Sequence, residues 1–318
     1  MKKSSVVKLL SVSLLGASMV GVSAKADIQT DTINEMWGKP TLVYGSGLSD
    51  SEVVQTNNAF SIKNIDNVNR QVNSGADFAK YLSIEGVSDS ELFSSVLVQK
   101  ANKGIGVKVK IKTPENITLI TQTQYENAAI TAGASNVEIE VASIKKVTGE
   151  SAIVGVYKAL DANGQKVDTE RAEVASQELY TVNSIAGESD LNKEQSAQLD
   201  NALAQIKSDL TKYKEENASK ATADVVRDTV KKAVKDNGLS EYISDEQVES
   251  LVSLADAYQN TAAIDDKEVQ KQLSALQNKM AEAYGSIKDT LNSDEAKGIF
   301  DTIGDWLNSL WNSLTSWF

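Results

Sequence analysis

The chain of 318 residues has no cysteine and no histidine. Without histidine there is no imidazole to relay protons, so the common hydrolase triads are excluded. Without either residue there is no thiol nucleophile and no zinc site of the usual ligand types, and no disulfide can brace the fold. Only carboxylate, lysine, serine or tyrosine chemistry remains. Positive charge is also short: 32 basic against 44 acidic side chains give a formal charge of −12, which repels phosphate backbones. Nucleic acid is therefore not expected as a partner. Hydrophobic residues, at 41%, still suffice for a sizeable core.

What is present begins with an export pattern. Lys2 and Lys3 form a positive n-region, the run from Leu9 to Val22 an apolar centre, and Ala24 and Ala26 the small residues a signal peptidase requires. Residues 1 to 26 are expected to be removed, leaving Asp27 first and making the secreted protein four lysines more acidic. The apolar run is short and interrupted by serine and glycine, which argues against a retained membrane anchor. A lipid-anchored lipoprotein needs cysteine where Asp27 stands, and no LPxTG-like sorting signal is found. The expected location is extracellular, with a cell-envelope association open.

From Thr41 to about Ile185 two periods alternate. The stretches 41–44, 94–99, 106–112 and 137–144 cluster β-branched residues as strands do, and helix-like stretches fall at 52–60, 76–82, 125–132 and 151–160. This predicts an α+β fold: a small mixed sheet with packed helices over residues 27 to 190. Beyond Asn192 the pattern is helical only. Leu199, Leu203, Ile206, Leu210 and Tyr213 form one stripe, and Val269, Leu273, Leu276, Met280, Ala283 and Ile287 another. They predict a helical region over residues 191 to 298 whose stripes pack on one another or on the sheet. Asp236-Asn237-Gly238 reads as a helix stop, and Ser244-x-x-Gln247 and Asp265-x-x-Glu268 as helix starts.

Several short motifs suggest chemistry and read better as local structure. The glycines of GSGLSDSE (45–52) lack the Lys and Ser/Thr of a phosphate-binding loop, whereas Ser49-x-x-Glu52 fits a capping box, and Ser88-x-x-Glu91 repeats the device. Ser143-x-x-Lys146 has the spacing of a serine–lysine nucleophile without the companion elements. Asp161, Asn163 and Asp168 resemble part of a calcium loop, but the spacing departs from an EF-hand, so a turn at Asn163-Gly164 is expected. No pattern for a cofactor or metal is found.

The chain closes on WLNSLWNSLTSWF, which holds three of its four tryptophans. At 100° per residue, residues 299 to 318 place Ile299, Phe300, Ile303, Leu307 and the group Trp306, Leu310, Trp311, Leu314, Trp317 and Phe318 on one arc of about 140°. The opposite side is wholly polar, which excludes a transmembrane span. Three readings stand: a helix docked on its own bundle, one lying on a membrane surface, or an interface with an envelope protein or a second copy in a homo-oligomer. The acidic polar face, with Asp301 and Asp305, weakens the membrane reading.

The segment 121–160, TQTQYENAAITAGASNVEIEVASIKKVTGESAIVGVYKAL, resembles the YpuA-like family of exported Gram-positive proteins, through Tyr125, Asn127 and Ala128, the turn and strand at 130–142, and the helix at 147–160. Relatives carry a proline-containing loop where this sequence reads ASIKKVTG. The resemblance implies export and an envelope setting and brings a domain of unknown function with no catalytic residues. Together the readings point to a secreted, envelope-associated binding or interaction protein. The rival is a secreted carboxylate-dependent hydrolase of wall polymer, recognisable by a cleft with two converging acidic side chains.

Overall fold

Four strands form where β-branched residues cluster, and a fifth forms where they do not. The computed structural model describes residues 27–31 and 34–278. The expected export signal, the stripe residues Met280, Ala283 and Ile287, and the expected C-terminal helix with Trp306, Leu310, Trp311, Leu314, Trp317 and Phe318 lie outside the described residues. In chain order the elements are β1 (Thr41–Gly45), α1 (Asp50–Ala59), β2 (Asn69–Asn73), α2 (Gly75–Leu82), β3 (Ser95–Lys100), β4 (Val107–Ile111), α3 (Gln122–Thr131) and β5 (Val137–Ala142). Then follow α4 (Ser151–Ala162), α5 (Thr169–Glu188), α6 (Lys193–Asn217), α7 (Ala223–Asp236), α8 (Asp245–Asn260) and α9 (described over 267–278). The fold is α+β with a helical C-terminal region.

The sheet order is β2-β1-β3-β5-β4. β1 and β2 run parallel around α1, β4 and β5 run parallel around α3, and antiparallel pairing through β3 joins the two units. Alternation along the strands divides the sheet into two faces. Val43, Val96, Val98, Val109, Ile139 and Val141 face the larger core, which continues through α4 and α5 into α6, α7, α8 and α9. Leu42, Tyr44, Leu97 and Ala142 face a smaller outer cluster closed by Phe60, Ile62, Val68 and Ile28. α4 lies close on the inner face because it carries Gly155: a Cβ there would sit 3.1 Å from Val96 Cγ2.

The cap signals hold at three ends. Ser49 and Glu52 form the capping box of α1, and Ser244 and Gln247 that of α8. α7 stops at Asp236, with Gly238 at φ +70°. The second Ser-x-x-Glu differs: Asp89–Glu91 is a single 3-10 turn, and the Asp89 carboxylate accepts from Gly75 N at the start of α2 instead of prolonging a helix. The start read at Asp265 moves one residue on, because Asp265 ends a 3-10 turn and Asp266 Oδ1 accepts from Glu268 N and Val269 N. The stripe of α6 is buried at Leu199, Leu203, Ile206 and Leu210, and that of α9 at Val269, Leu273 and Leu276.

Candidate functional site

Every residue of α3 from Gln124 to Thr131 is buried, so its polar side chains must find partners inside the protein. Thr121 caps the helix: its hydroxyl accepts from Gln124 N at 3.1 Å and donates to Asp200 Oδ2 at 3.1 Å. Gln124 Nε2 donates to Asp200 Oδ1 at 3.2 Å, while its Oε1 accepts from Thr121 N and Asn183 Nδ2. Tyr125 donates to Gly149 O at 2.6 Å, and Glu126 accepts from Val109 N on the edge strand β4. At the far end Thr131 Oγ1 donates to Glu178 Oε1 at 2.8 Å and accepts from Lys207 Nζ at 3.0 Å; Lys207 also donates to Glu178 Oε2 at 2.9 Å. One capped helix thus ties α5 and α6 together at two polar nodes.

Both nodes are sealed. The Lys207 and Glu178 side chains are at most 2% exposed, and Asp200 is 2% exposed. Burial pushes Glu178 up and Lys207 down, and their mutual attraction opposes both movements. Asp200 has no cation bonded to it, and burial raises it to about 7 against the two hydrogen bonds it accepts. A carboxyl near 7 is suited to general acid–base work. Enclosed among helices, however, these groups reach no external molecule unless α3, α5 and α6 separate, and what they do in place is fix the packing of those helices.

Ser143, Asp161, Asn163 and Asp168, which the sequence offered for chemistry, lie apart from this network. Ser143 Oγ donates to Lys145 O within its own turn, so the hydroxyl is engaged locally. Lys145 binds Glu52 at 2.8 Å and, with the Ser49 cap, holds that carboxyl at about 2. Asp161 binds Lys80 and Tyr81, Asn163 donates to Thr41 Oγ1, and Asp168 caps α5, so the partial calcium loop does not converge. Asn163-Gly164 forms the expected turn, with Gly164 at φ +79°.

The solvent-facing concavities among the described residues include two. A broad one of about 550 Å³ lies over Gly75, Ala76, Ala79 and the loop Glu85-Gly86-Val87 with Asp89. Gly75 permits the close approach, since a Cβ there would lie 2.1 Å from Val87 O. Of its two carboxylates, Asp89 is committed to Gly75 N at 2.7 Å. A second, of about 160 Å³, opens between β4, α3 and α9: Ile105, Val107, Ile130 and Leu276 make apolar walls, and Lys108, Glu126, Glu268 and Lys271 add charge. Gln272 Oε1, in the lining, is buried without a hydrogen-bond partner. These surfaces suit small or extended ligands held by backbone and apolar contact. Among the described residues no group of three or more carboxylates is placed to hold a metal, and no helix is long and apolar enough to cross a membrane.

Sequence reasoning missed the buried nodes, although a signal was present. Asp200 and Lys207 are seven residues apart and each directly follows a stripe residue, Leu199 and Ile206. Two ionisable groups on one helix edge beside a buried stripe are placed to be buried with it.

The family model described as Protein of unknown function (DUF1002) matches residues 44–276, a span that includes α3, Glu178, Asp200 and Lys207. The protein called Uncharacterized protein YpuA, from Bacillus subtilis (strain 168), is 31% identical over 242 residues, covering 75% of this chain and 75% of that one. No solved structure matches. With most of its length matched, the chain belongs to the YpuA-like family of proteins of unknown function, DUF1002.

Proposed function

We propose that the chain is an exported, cell-envelope-associated binding or interaction protein, released from its signal after Ala26. One observation carries this reading: Asp200, Glu178 and Lys207, the ionisable groups most perturbed by burial, are sealed between helices, while the two solvent-facing concavities combine backbone, small residues and apolar walls with the charged side chains Glu85 and Asp89 in one and Lys108, Glu126, Glu268 and Lys271 in the other. The export pattern at 1–26 and the aromatic arc at 299–318 support an envelope setting.

The hydrolase reading draws on Asp200, whose carboxyl at about 7 lies in the range of a general acid. One experiment separates the two. Purified protein beginning at Asp27 is incubated with isolated wall polymer and with anionic vesicles, then sedimented. Co-sedimentation without release of soluble fragments is expected. Release of fragments that Asp200→Asn abolishes would establish the hydrolase instead.

A further inference from the structure

The outer face of the sheet holds another buried carboxylate, and one of its oxygens has no hydrogen-bond partner. Glu140 on β5 sits in register between Leu97 of β3 and Lys110 of β4, so it shares the face of the outer cluster. It is 2% exposed. Its Oε1 accepts from Ile28 N at 2.9 Å; its Oε2 is buried with no hydrogen-bond partner. Lys110 and Lys112 both close on Asp27 Oδ1, at 2.5 and 2.8 Å. Burial pushes Glu140 above the usual carboxylate range, with the Ile28 N–H and the two lysines opposing and Asp27 adding to the rise. A buried carboxylate with one oxygen unsatisfied is a costly arrangement that an added cation would relieve.

The main-chain nitrogen of Asp27 is next along the chain and becomes such a cation when it is a free amine. It is one residue from the N–H that already holds Oε1, and consecutive backbone nitrogens are separated by roughly 3 to 3.6 Å. Ile28 is buried in the outer cluster and the Asp27 side chain is clamped by two lysines, so the segment is anchored at the nitrogen's own residue and at the next one. In the unprocessed chain that nitrogen is an amide with one proton.

We propose that the Asp27 α-ammonium, formed when the Ala26–Asp27 bond is cleaved, docks on the Glu140 carboxylate and latches the N-terminal segment to the outer face of the sheet. The chemistry balances with water as co-reactant. Water's hydroxyl goes to the Ala26 acyl carbon and its proton to Asp27 N; at neutral pH the new acid loses a proton and the amine gains one. The product is an ammonium with three donors where one amide proton stood. Processing thereby adds a third cation beside Lys110 and Lys112 and supplies the hydrogen-bond donor that Glu140 Oε2 lacks in the unprocessed chain. The inference rests on the export reading for the origin of the amine and not for the pairing itself.

Three forms of the protein that starts at Asp27 test it: one with a free α-amine, one N-acetylated, and a free-amine form carrying Glu140→Gln. The free amine is expected to melt about 5 °C above the acetylated form near pH 6.5. That difference should vanish in the Glu140→Gln background, and also as pH rises through the amine's own pKa, because the paired form is the charged one. The titrating or charged groups on this face are Glu138 and Glu140 of β5, Lys108 and Lys110 of β4, Lys112 just beyond it, and the Asp27 carboxylate. Should Glu140→Gln fail to fold, nitrogen NMR of the Asp27 amine decides, with a pKa above the ordinary 7.7 to 8.0 expected. Equal melting of the free and acetylated forms, a difference that survives Glu140→Gln, or an ordinary amine pKa overturns the pairing. N-terminal sequencing of the secreted protein tests the export reading separately: another first residue would refute cleavage after Ala26 and leave the pairing to stand or fall on the purified protein.

Discussion

Replacing Lys207 by Met removes a charge and keeps a side chain of similar length. In the native protein Lys207 Nζ donates to Glu178 Oε2 at 2.9 Å and to Thr131 Oγ1 at 3.0 Å, with both ionic side chains at most 2% exposed. Without the ammonium, Glu178 is a buried carboxylate held by one hydroxyl. It escapes that state by taking up a proton, and at pH 7 protonating a carboxyl of ordinary pKa near 4.3 costs about 4 kcal/mol, a cost in line with the ~3–5 kcal/mol of breaking a buried pair. For a chain of this size that lowers Tm by about 10 °C. Adding Glu178→Met removes the second charge as well, leaving Thr131 to bond its own helix backbone, and should recover all but ~1–2 kcal/mol. pH provides an internal control. In the single variant the folded-state pKa of Glu178 lies above its unfolded value, so the folded state holds the extra proton and stability falls as pH rises from about 4.3. The gap to wild type should therefore be small near pH 4.3 and grow toward pH 7. Thermal unfolding followed by circular dichroism at both pH values reads all three proteins. A single variant as stable as wild type at pH 7, or a double variant no better than the single, would refute the view that these helices are held by a closed charge pair.

Asp200 gives a second pH signature. Its folded pKa of about 7 exceeds the ordinary 3.9, so it favours folding less as pH rises through that window, by on the order of 4 kcal/mol at most. Asp200→Asn should flatten the fall in Tm between pH 4 and 7, and parallel profiles for the two proteins would contradict the assignment. Gly149 has φ +113°, and a Cβ there would lie 2.6 Å from the Tyr125 hydroxyl and 2.9 Å from Ile117 Cγ2. Gly149→Ala is expected to cost at least about 3 kcal/mol in urea unfolding, and an unchanged midpoint would show that the turn relaxes freely.

The sequence made the strands with dense β-branched residues legible, because burial on both faces and strand propensity point the same way there. β2 was not legible: Asn-Arg-Gln-Val-Asn is an edge strand with Arg70 and Val72 exposed, and only pairing with β1 makes it a strand. Helix caps were readable where the cap side chain had no competitor, as at Ser49 and Ser244, and failed at Ser88, where Asp89 is drawn to α2 through a contact distant in sequence. The polar nodes were hidden for a related reason. Gln124, Glu126 and Asn127 look solvent-facing in a helix without an apolar stripe, and it is the convergence of α5 and α6 on α3 that buries Gln124 and Asn127, and the edge strand β4 that covers Glu126. Glu140 gave no local sign at all, since Glu138 and Glu140 alternate with Ile139 and Val141 as solvent-facing residues of a strand would, and it is the segment at 27–28 that covers Glu140.

The central claim is that the exported protein works at the cell envelope through binding. Its most direct test is fractionation of producing cells into medium, wall and membrane, comparing the full chain with one lacking residues 299–318 and one carrying Trp311→Asp with Leu314→Asp. The full chain is expected in the wall or membrane fraction, with both variants shifted to the medium while keeping the wild-type Tm. All three proteins found in the medium alike, or retained inside the cell with residues 1–26 intact, would contradict it.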